Sequence, residues 1–347
     1  MTTTNDLRAY ASDRIIPALA VHRMPGLGLA VTRYGETLLA AGYGLWDVEA
    51  GIPATAESSY SLASVTKGVT GAAIALLAAE GRVDLGASIT AYLDGAPDTW
   101  RDVRLRHLLA HTSGITCYLN DFDEDHPRFV RDTTPDTTAE QIIARISDLP
   151  LKFAPGSRFA YGNTGNVLLG QIISAVSGVD WPAFFHQRLF APLGMNSTRV
   201  ILDMESALQA KVTGYEWRDG GFHRCLSWNP AWANAAGGVV TTPADMARWT
   251  AAFNDCRLLP DAARDAMWSS TRLNDGEKLN VGFGWNVDED DGGHRRHTGY
   301  GGGPGISSHI CAYVDAELSV AVFSNIGDVQ GPLAELARTI ARHLLTR

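Results

Sequence analysis

Apolar positions along the chain follow helical spacing, then strand alternation, then a long helical stretch, and return to strands before a last helix. Leu7, Tyr10, Ile15 and Leu19 are spaced for one buried helical face, and Asp6 stands where a helix cap belongs. The runs 28–33 and 36–42 read as two strands, with Tyr34-Gly35 placed for a hairpin turn. Over 65–80 the apolar residues lie all round the helical wheel, which predicts a fully buried helix, and Gly81 is placed to end it. From 84 to 235 the pattern is mostly helical with long loops, and Leu168, Leu169, Ile172, Ile173 and Val176 form one stripe. Segment 118–137, rich in Asp, Pro and Thr, reads as an exposed loop. A further helix is expected over 244–253, with Thr242 near its start and Pro243 suited to its first turn. Strand character returns in 281–287, 306–314 and 318–323, with Asp315-Ala316-Glu317 as the turn between the last two. A closing helix follows Gly331-Pro332, with Leu333, Leu336, Ala337, Ile340, Ala341 and Leu344 on one face.

Strands at both chain ends with helices between predict an α+β architecture: an antiparallel sheet built from both ends, flanked by helices, plus a mostly helical lobe. The expected division is an α/β lobe from 1–83 and 240–347 and a helical lobe from 84–239. No internal repeat or low-complexity run interrupts it.

Composition narrows the function classes. With 347 residues, 45% hydrophobic and 19% charged, the chain is too apolar and too weakly charged for disorder. A net charge of −9 leaves no basic surplus for counterion release, so no nucleic-acid partner is expected. No apolar stretch is long enough for a membrane span, and residues 1–8 lack the pattern of a secretory signal, so no membrane partner is expected either. Cys117, Cys225, Cys256 and Cys311 form no CxxC and read as free, mostly buried thiols. These features predict a cytoplasmic protein. His107 with His111, and His294 with His297, have spacings that could ligate zinc, but neither a His-Glu-x-x-His nor a cysteine cluster accompanies them. No metal and no cofactor are expected.

Three segments carry chemistry. In Ser64-Val65-Thr66-Lys67 a serine at the start of the buried helix sits one turn from a lysine. The free N–H groups and dipole of a helix N-terminus favour negative charge there. Desolvation favours the neutral form of a lysine, the form a general base needs. The chain has only four lysines, so one in its most apolar helix is unexpected. Nucleophile plus base is the minimum for covalent acyl transfer. In Tyr161-Gly162-Asn163, a phenol near an ammonium is drawn toward phenolate, which could take the serine proton, and the amide offers both a donor and an acceptor. In the run from His297 to Gly305, ahead of a strand, glycines let a ligand approach the backbone, and a backbone N–H could complete an oxyanion hole. No Gly-x-Ser-x-Gly surrounds Ser64, so an α/β-hydrolase elbow is not supported.

In this order and spacing the three segments resemble the serine β-lactamase and penicillin-recognising superfamily, in its class C-like branch of esterases, D-aminopeptidases and acyltransferases. That branch carries Ser-x-x-Lys, Tyr-x-Asn and a Lys-Thr-Gly or His-x-Gly triplet. The segment from Leu108 to Ile115, the Pro192-Leu193-Gly194-Met195 stretch with Thr198, and the run from Ala235 to Val239 are similar too. The resemblance implies a β-lactamase/transpeptidase-like fold with the site between two lobes. It implies Ser64 as the acylated nucleophile, Lys67 and Tyr161 sharing acid and base duty, and Asn163 orienting them. The N–H groups of Ser64 and Tyr300 would form the oxyanion hole, and His297 would stand on the wall near Tyr161. Histidine in place of the triplet's lysine implies weak or no penicillin hydrolysis. Tyr118, Trp228 and Trp232 are expected to rim the cleft, and Gly299 and Gly301 to line it.

The expected function is a serine hydrolase that forms an acyl-enzyme on Ser64 and cleaves a small ester or amide. An acyltransferase that passes the acyl group to an amine or alcohol is the alternative on the same scaffold. A non-catalytic binding or scaffold protein is the alternative of another class. The sequence leaves the oligomeric state open.

Overall fold

A computed structural model describes residues 3–123, 125–128, 137–209, 214–225, 229–254 and 257–346. Helix α1 (Thr4–Val21) buries Leu7, Ala11 and Ile15, four residues apart along one face. Its cap is Thr3 rather than Asp6. The Thr3 hydroxyl accepts from the Asp6 N–H while the Asp6 carboxylate accepts from the Thr3 N–H, a reciprocal capping box.

One antiparallel sheet draws its strands from both chain ends. These are β1 (Gly26–Arg33), β2 (Glu36–Asp47), β3 (Ile52–Pro53), β4 (Asn286–Glu289), β5 (Arg295–Gly303), β6 (Ile306–Tyr313) and β7 (Leu318–Ser324), in the order β3-β2-β1-β7-β6-β5-β4. β1 and β2 meet at Tyr34 and Gly35, whose φ angles of 53° and 75° suit the tight turn of a right-twisted hairpin. The closing pair is β1 with β7, from Leu27 opposite Ser324 to Arg33 opposite Leu318.

Alternation sends the two faces of this sheet to two cores. Leu27, Leu29, Val31, Val320 and Val322 pack with α1 and with the C-terminal helix Gln330–Leu345. Ala30, Ile310, Ala321 and Phe323 face a larger cluster that contains α2 (Thr66–Ala79), α3 (Thr164–Ser177) and α4 (Pro243–Asn254). α2 is apolar all round because it has no solvent face over most of its length, with Val69, Ala72, Ala73, Ile74 and Leu77 in this core. The C-terminal helix, numbered α6 after α5 (Asp261–Met267), buries the stripe from Leu333 to Leu344 that its spacing predicts.

Four further expectations change. The strand read over 281–287 begins only at Asn286, because Gly284 turns the chain at φ 77°. A Cβ there would stand 2.5 Å from the Lys67 carbonyl, so only glycine admits this contact. The glycine run read as preceding a strand is itself part of β5, since pairing with β6 supplies the backbone partners that the glycines' weak strand propensity does not. Within the stretch read as mostly helical, Gly214–Arg218 and Gly221–Cys225 form a hairpin closed by Asp219-Gly220, a turn signal present in the sequence. The loop expected to be exposed begins at Tyr118, which is fully buried; residues 124 and 129–136 of that loop lie outside the described residues. Cys117 and Cys311 are buried free thiols, Cys225 is half-buried, and Cys256 lies outside the described residues. No single described helix is long and apolar enough to cross a membrane.

Ile74 lies at 0% exposure in the centre of α2, whereas Ile16 on α1 is 61% exposed. Ile74→Ala is expected to cost about 2–5 kcal/mol, and Ile16→Ala no more than about 0.5 kcal/mol. Urea denaturation of the two variants beside wild type checks the difference, and equal losses would contradict the placement of the core.

Candidate active site

Ser64 occupies a tight helical turn, Ala63–Val65, that runs directly into α2. Ala63 before it holds φ 44°, a left-handed conformation that costs a non-glycine residue about 1–3 kcal/mol. At this N-terminus the first N–H groups of the helix have no partner within it, so they and the helix dipole can stabilise a developing oxyanion.

Lys67 follows one turn later and is buried, 2% exposed. Its Nζ lies 2.9 Å from Ser64 Oγ, 2.9 Å from Asn163 Oδ1 and 3.0 Å from the Ala236 carbonyl. These partners come from three separate segments of the chain. Tyr161, 97 residues beyond Ser64, donates its phenol to the same Oγ at 2.8 Å. Nucleophile and both acid–base candidates are thus within direct proton-transfer distance.

Asn163 precedes the first turn of α3 and has both ends of its amide fixed. Its Oδ1 faces Lys67, and its Nδ2 donates to Asn120 Oδ1 at 2.9 Å. The Cys117 thiol donates to the same Asn120 oxygen and accepts from the Asn163 backbone N–H. Asn120 was not singled out by motif reading. It lies in a polar loop with no periodicity to mark it, and only folding brings it to Asn163.

Two adjoining cavities meet at Ser64, Tyr161 and Gly302. The first, about 290 Å³, has Phe159, Trp285, Tyr300 and His111 among its walls. The second, about 250 Å³, has Leu119, Pro230, Ala233 and Ile306 with the amides of Asn120 and Asn163. β5 forms a side of both. Gly299, Tyr300 and Gly301 line the first cavity, and a Cβ at Gly301 would meet the Leu62 carbonyl at 2.2 Å. Phe159, Trp285 and Gln330 also line it and carried no sequence signal beyond being large or polar.

Several expected site residues stand elsewhere. His297 is buried and absent from the walls of both cavities. Its ring stacks on Trp268 at 4.7 Å and its Nε2 lies 3.2 Å from the Trp268 carbonyl, so this stacking holds the side chain out of the cleft. The ring beside Tyr161 is instead that of His111, at 4.8 Å. Tyr118 does not rim the cleft: it is fully buried, its hydroxyl donates to the Trp232 carbonyl, and Trp232 is buried against it. Both serve packing beneath the cleft. Trp228 lies outside the described residues.

Burial sets the charge state of the histidines. Burial, with the Lys67 charge nearby, pushes His111 down to about 3. Burial likewise holds His297 at about 4 and His309 at about 3. His309 sits behind Tyr300, their rings 4.7 Å apart. All three imidazoles are neutral near neutral pH.

The chain is similar to known proteins over nearly its whole length. A profile of the family described as Beta-lactamase matches residues 12–345. Penicillin-binding protein 4* of Bacillus subtilis (strain 168) is 27% identical over 323 residues, spanning 88% of this chain and 68% of that protein. The octameric penicillin-binding protein homologue from Pyrococcus abyssi superposes with a TM-score of 0.82 at 26% identity, covering 98% of this chain and 77% of that one. A D-stereospecific amidohydrolase from Streptomyces sp. gives 0.74 at 26% identity, covering 93% and 96%.

A histidine depressed in the folded state binds its proton more readily when unfolded, where it titrates near 6.5. Stability is therefore full above that value and falls as pH drops from there toward the folded values of about 3 to 4. Inside this window each such histidine contributes a slope of about 1.4 kcal/mol per pH unit. His309→Phe removes one contributor, so its urea midpoint is expected to fall less steeply between about pH 6.5 and about pH 4.5. An unchanged slope would contradict the buried neutral state of His309.

Proposed function

The chain belongs to the beta-lactamase family, and from that membership we propose that it is a serine hydrolase that acylates Ser64 and cleaves a small ester or amide. The observation that carries the reading is the convergence of Lys67 Nζ and the Tyr161 hydroxyl on one serine oxygen at 2.9 and 2.8 Å. Ser64 Oγ attacks the carbonyl carbon of the substrate as its proton passes to the Lys67–Tyr161 pair. The carbonyl oxygen gains negative charge at the N-terminus of α2, beside the edge of β5, where backbone N–H groups stabilise it. Collapse of this intermediate breaks the bond to the leaving group, which takes the proton from the pair. Water then attacks the acyl-enzyme by the same proton route in reverse, releasing the acid and restoring Ser64.

Asn163 acts through Lys67. Its amide, held at the far end by Asn120, presents only oxygen to the lysine and so fixes the amine toward Ser64. The Streptomyces relative, an amidohydrolase by description, supports an amide among the substrates. Among the described residues, neither cavity wall contains a cation corresponding to the lysine of the family's third triplet, which supports weak or no penicillin hydrolysis. Two cavities flanking one serine also suit transfer of the acyl group to a bound amine or alcohol.

Intact mass after brief exposure to an activated short-chain ester tests the reading. Wild type is expected to gain one acyl mass and Ser64→Ala none; a gain that survives Ser64→Ala would sink it. Decay of the adduct in water, against decay only on adding an amine or alcohol, divides hydrolysis from transfer. Tyr161→Phe keeps the ring and loses the proton, so acylation is expected to slow by about 10²–10⁴-fold. Lys67→Ala is expected to lose at least as much, read as the rate of adduct formation.

A further inference from the structure

The walls of the two cavities contain, among the described residues, one amine, that of Lys67, and neither a carboxylate nor a guanidinium. That amine is already committed. An amine nitrogen has three positions besides its carbon, and Lys67 Nζ has all three filled, by Ser64 Oγ, Asn163 Oδ1 and the Ala236 carbonyl. In either protonation state it has no position left for a substrate carboxylate. The imidazole on the wall, His111, is held neutral by burial and supplies no second cation.

Among the described residues no carboxylate lines either cavity. Asp121 follows Asn120 on the second cavity's loop, but its Oδ2 accepts from the Cys117 N–H and pairs with Lys152. The polar groups that do face the cleft are neutral: the amides of Asn120, Asn286 and Gln330 and the hydroxyls of Thr298 and Tyr300. A charged group taken from water into such a site keeps its desolvation cost without a partner to offset it.

We propose that the cleft selects an acyl substrate uncharged on both sides of the bond that is cleaved, with a flat or aromatic apolar group seated among Phe159, Trp285 and Tyr300. This rests on the reading of Ser64 as the nucleophile. The amides pair with neutral carbonyl or N–H groups of the substrate, and the aromatic walls take its apolar body. Substrates with a free α-ammonium or a carboxylate next to the reacting carbonyl are rejected by the same walls. The third-triplet histidine, which could have supplied a cation, is turned away onto Trp268.

The test is a matched set of para-nitrophenyl esters of phenylpropanoic acid: neutral, carboxylate-bearing and aminomethyl-bearing on the acyl ring, with a second set carrying the same groups on the phenol. After correction for reaction in buffer, kcat/KM for the neutral member is expected to exceed both charged members by about tenfold or more in each set. The corresponding phenylpropanamides, bound to Ser64→Ala and measured by calorimetry, are expected to give the same order without turnover. Gln330→Arg places a cation on the wall and is expected to narrow the gap to the carboxylate-bearing member by about threefold or more. Parity in both assays, preference for a charged member, or a Gln330→Arg ratio that does not move overturns the proposal. Ester turnover that survives in Ser64→Ala instead removes the hydrolase reading, and the amide affinities then decide charge selection alone.

Discussion

The buried amine of Lys67 constrains more of this structure than any other group. A lysine nitrogen withdrawn from water must be met by acceptors or it costs several kcal/mol. Here the acceptors come from the turn at Ser64, from Asn163 before α3 and from the Ala236 carbonyl. Satisfying one nitrogen therefore fixes the mutual position of three segments that are remote in sequence. The adjacent contacts follow suit. Thr70, one turn along α2, donates to the Ala235 carbonyl, and the Val239 N–H donates to Thr66. The geometry around Ser64 and the packing of α2 are one arrangement.

Close approach of backbone is the second condition. Gly284 lets the segment before β4 press against the Lys67 carbonyl, and Gly301 lets β5 pass the Leu62 carbonyl just before Ser64. Any side chain at either place would push the sheet edge away from Ser64. The Ser308 hydroxyl on β6 donates to that same Leu62 carbonyl, tying the second strand of the edge to the serine turn. The sheet thus supports the Ser64 turn from one side while α2 and Tyr161 hold it from the other.

Charge is kept away from this centre with some consistency. Among the described residues, Arg224 with Asp47 and Glu49, and Arg295 with Asp315, form ion pairs away from both cavity walls. The histidines near the cleft are neutral through burial. Electrostatic effects within the cleft therefore come from Lys67, the start of α2 and fixed amides. Such preorganised dipoles stabilise charge that develops during reaction without first binding a charged ground state.

The chain alone determined what depends on neighbours in sequence. Alternation and helical spacing located α2, α3, α4, α6 and most of the sheet, and a separation of three residues was enough to pair Ser64 with Lys67, because one helical turn enforces it. The ordered motifs also pointed to Tyr161 and Asn163, though their meeting with Ser64 is a consequence of folding. Tertiary structure alone decided the rest. Whether His297 faces the cleft depends on Trp268 being there to stack on it. Whether Asn120 reaches Asn163 depends on how an aperiodic loop lies over α3. Tyr118 and Trp232 looked like rim residues and became core because the hydroxyl found a backbone carbonyl to pair with inside. The glycine run became a strand because β6 lay beside it. Local spacing fixes which way a side chain leaves its own helix or strand; what it meets there is set by contacts between segments a hundred residues apart, which no short-range pattern records.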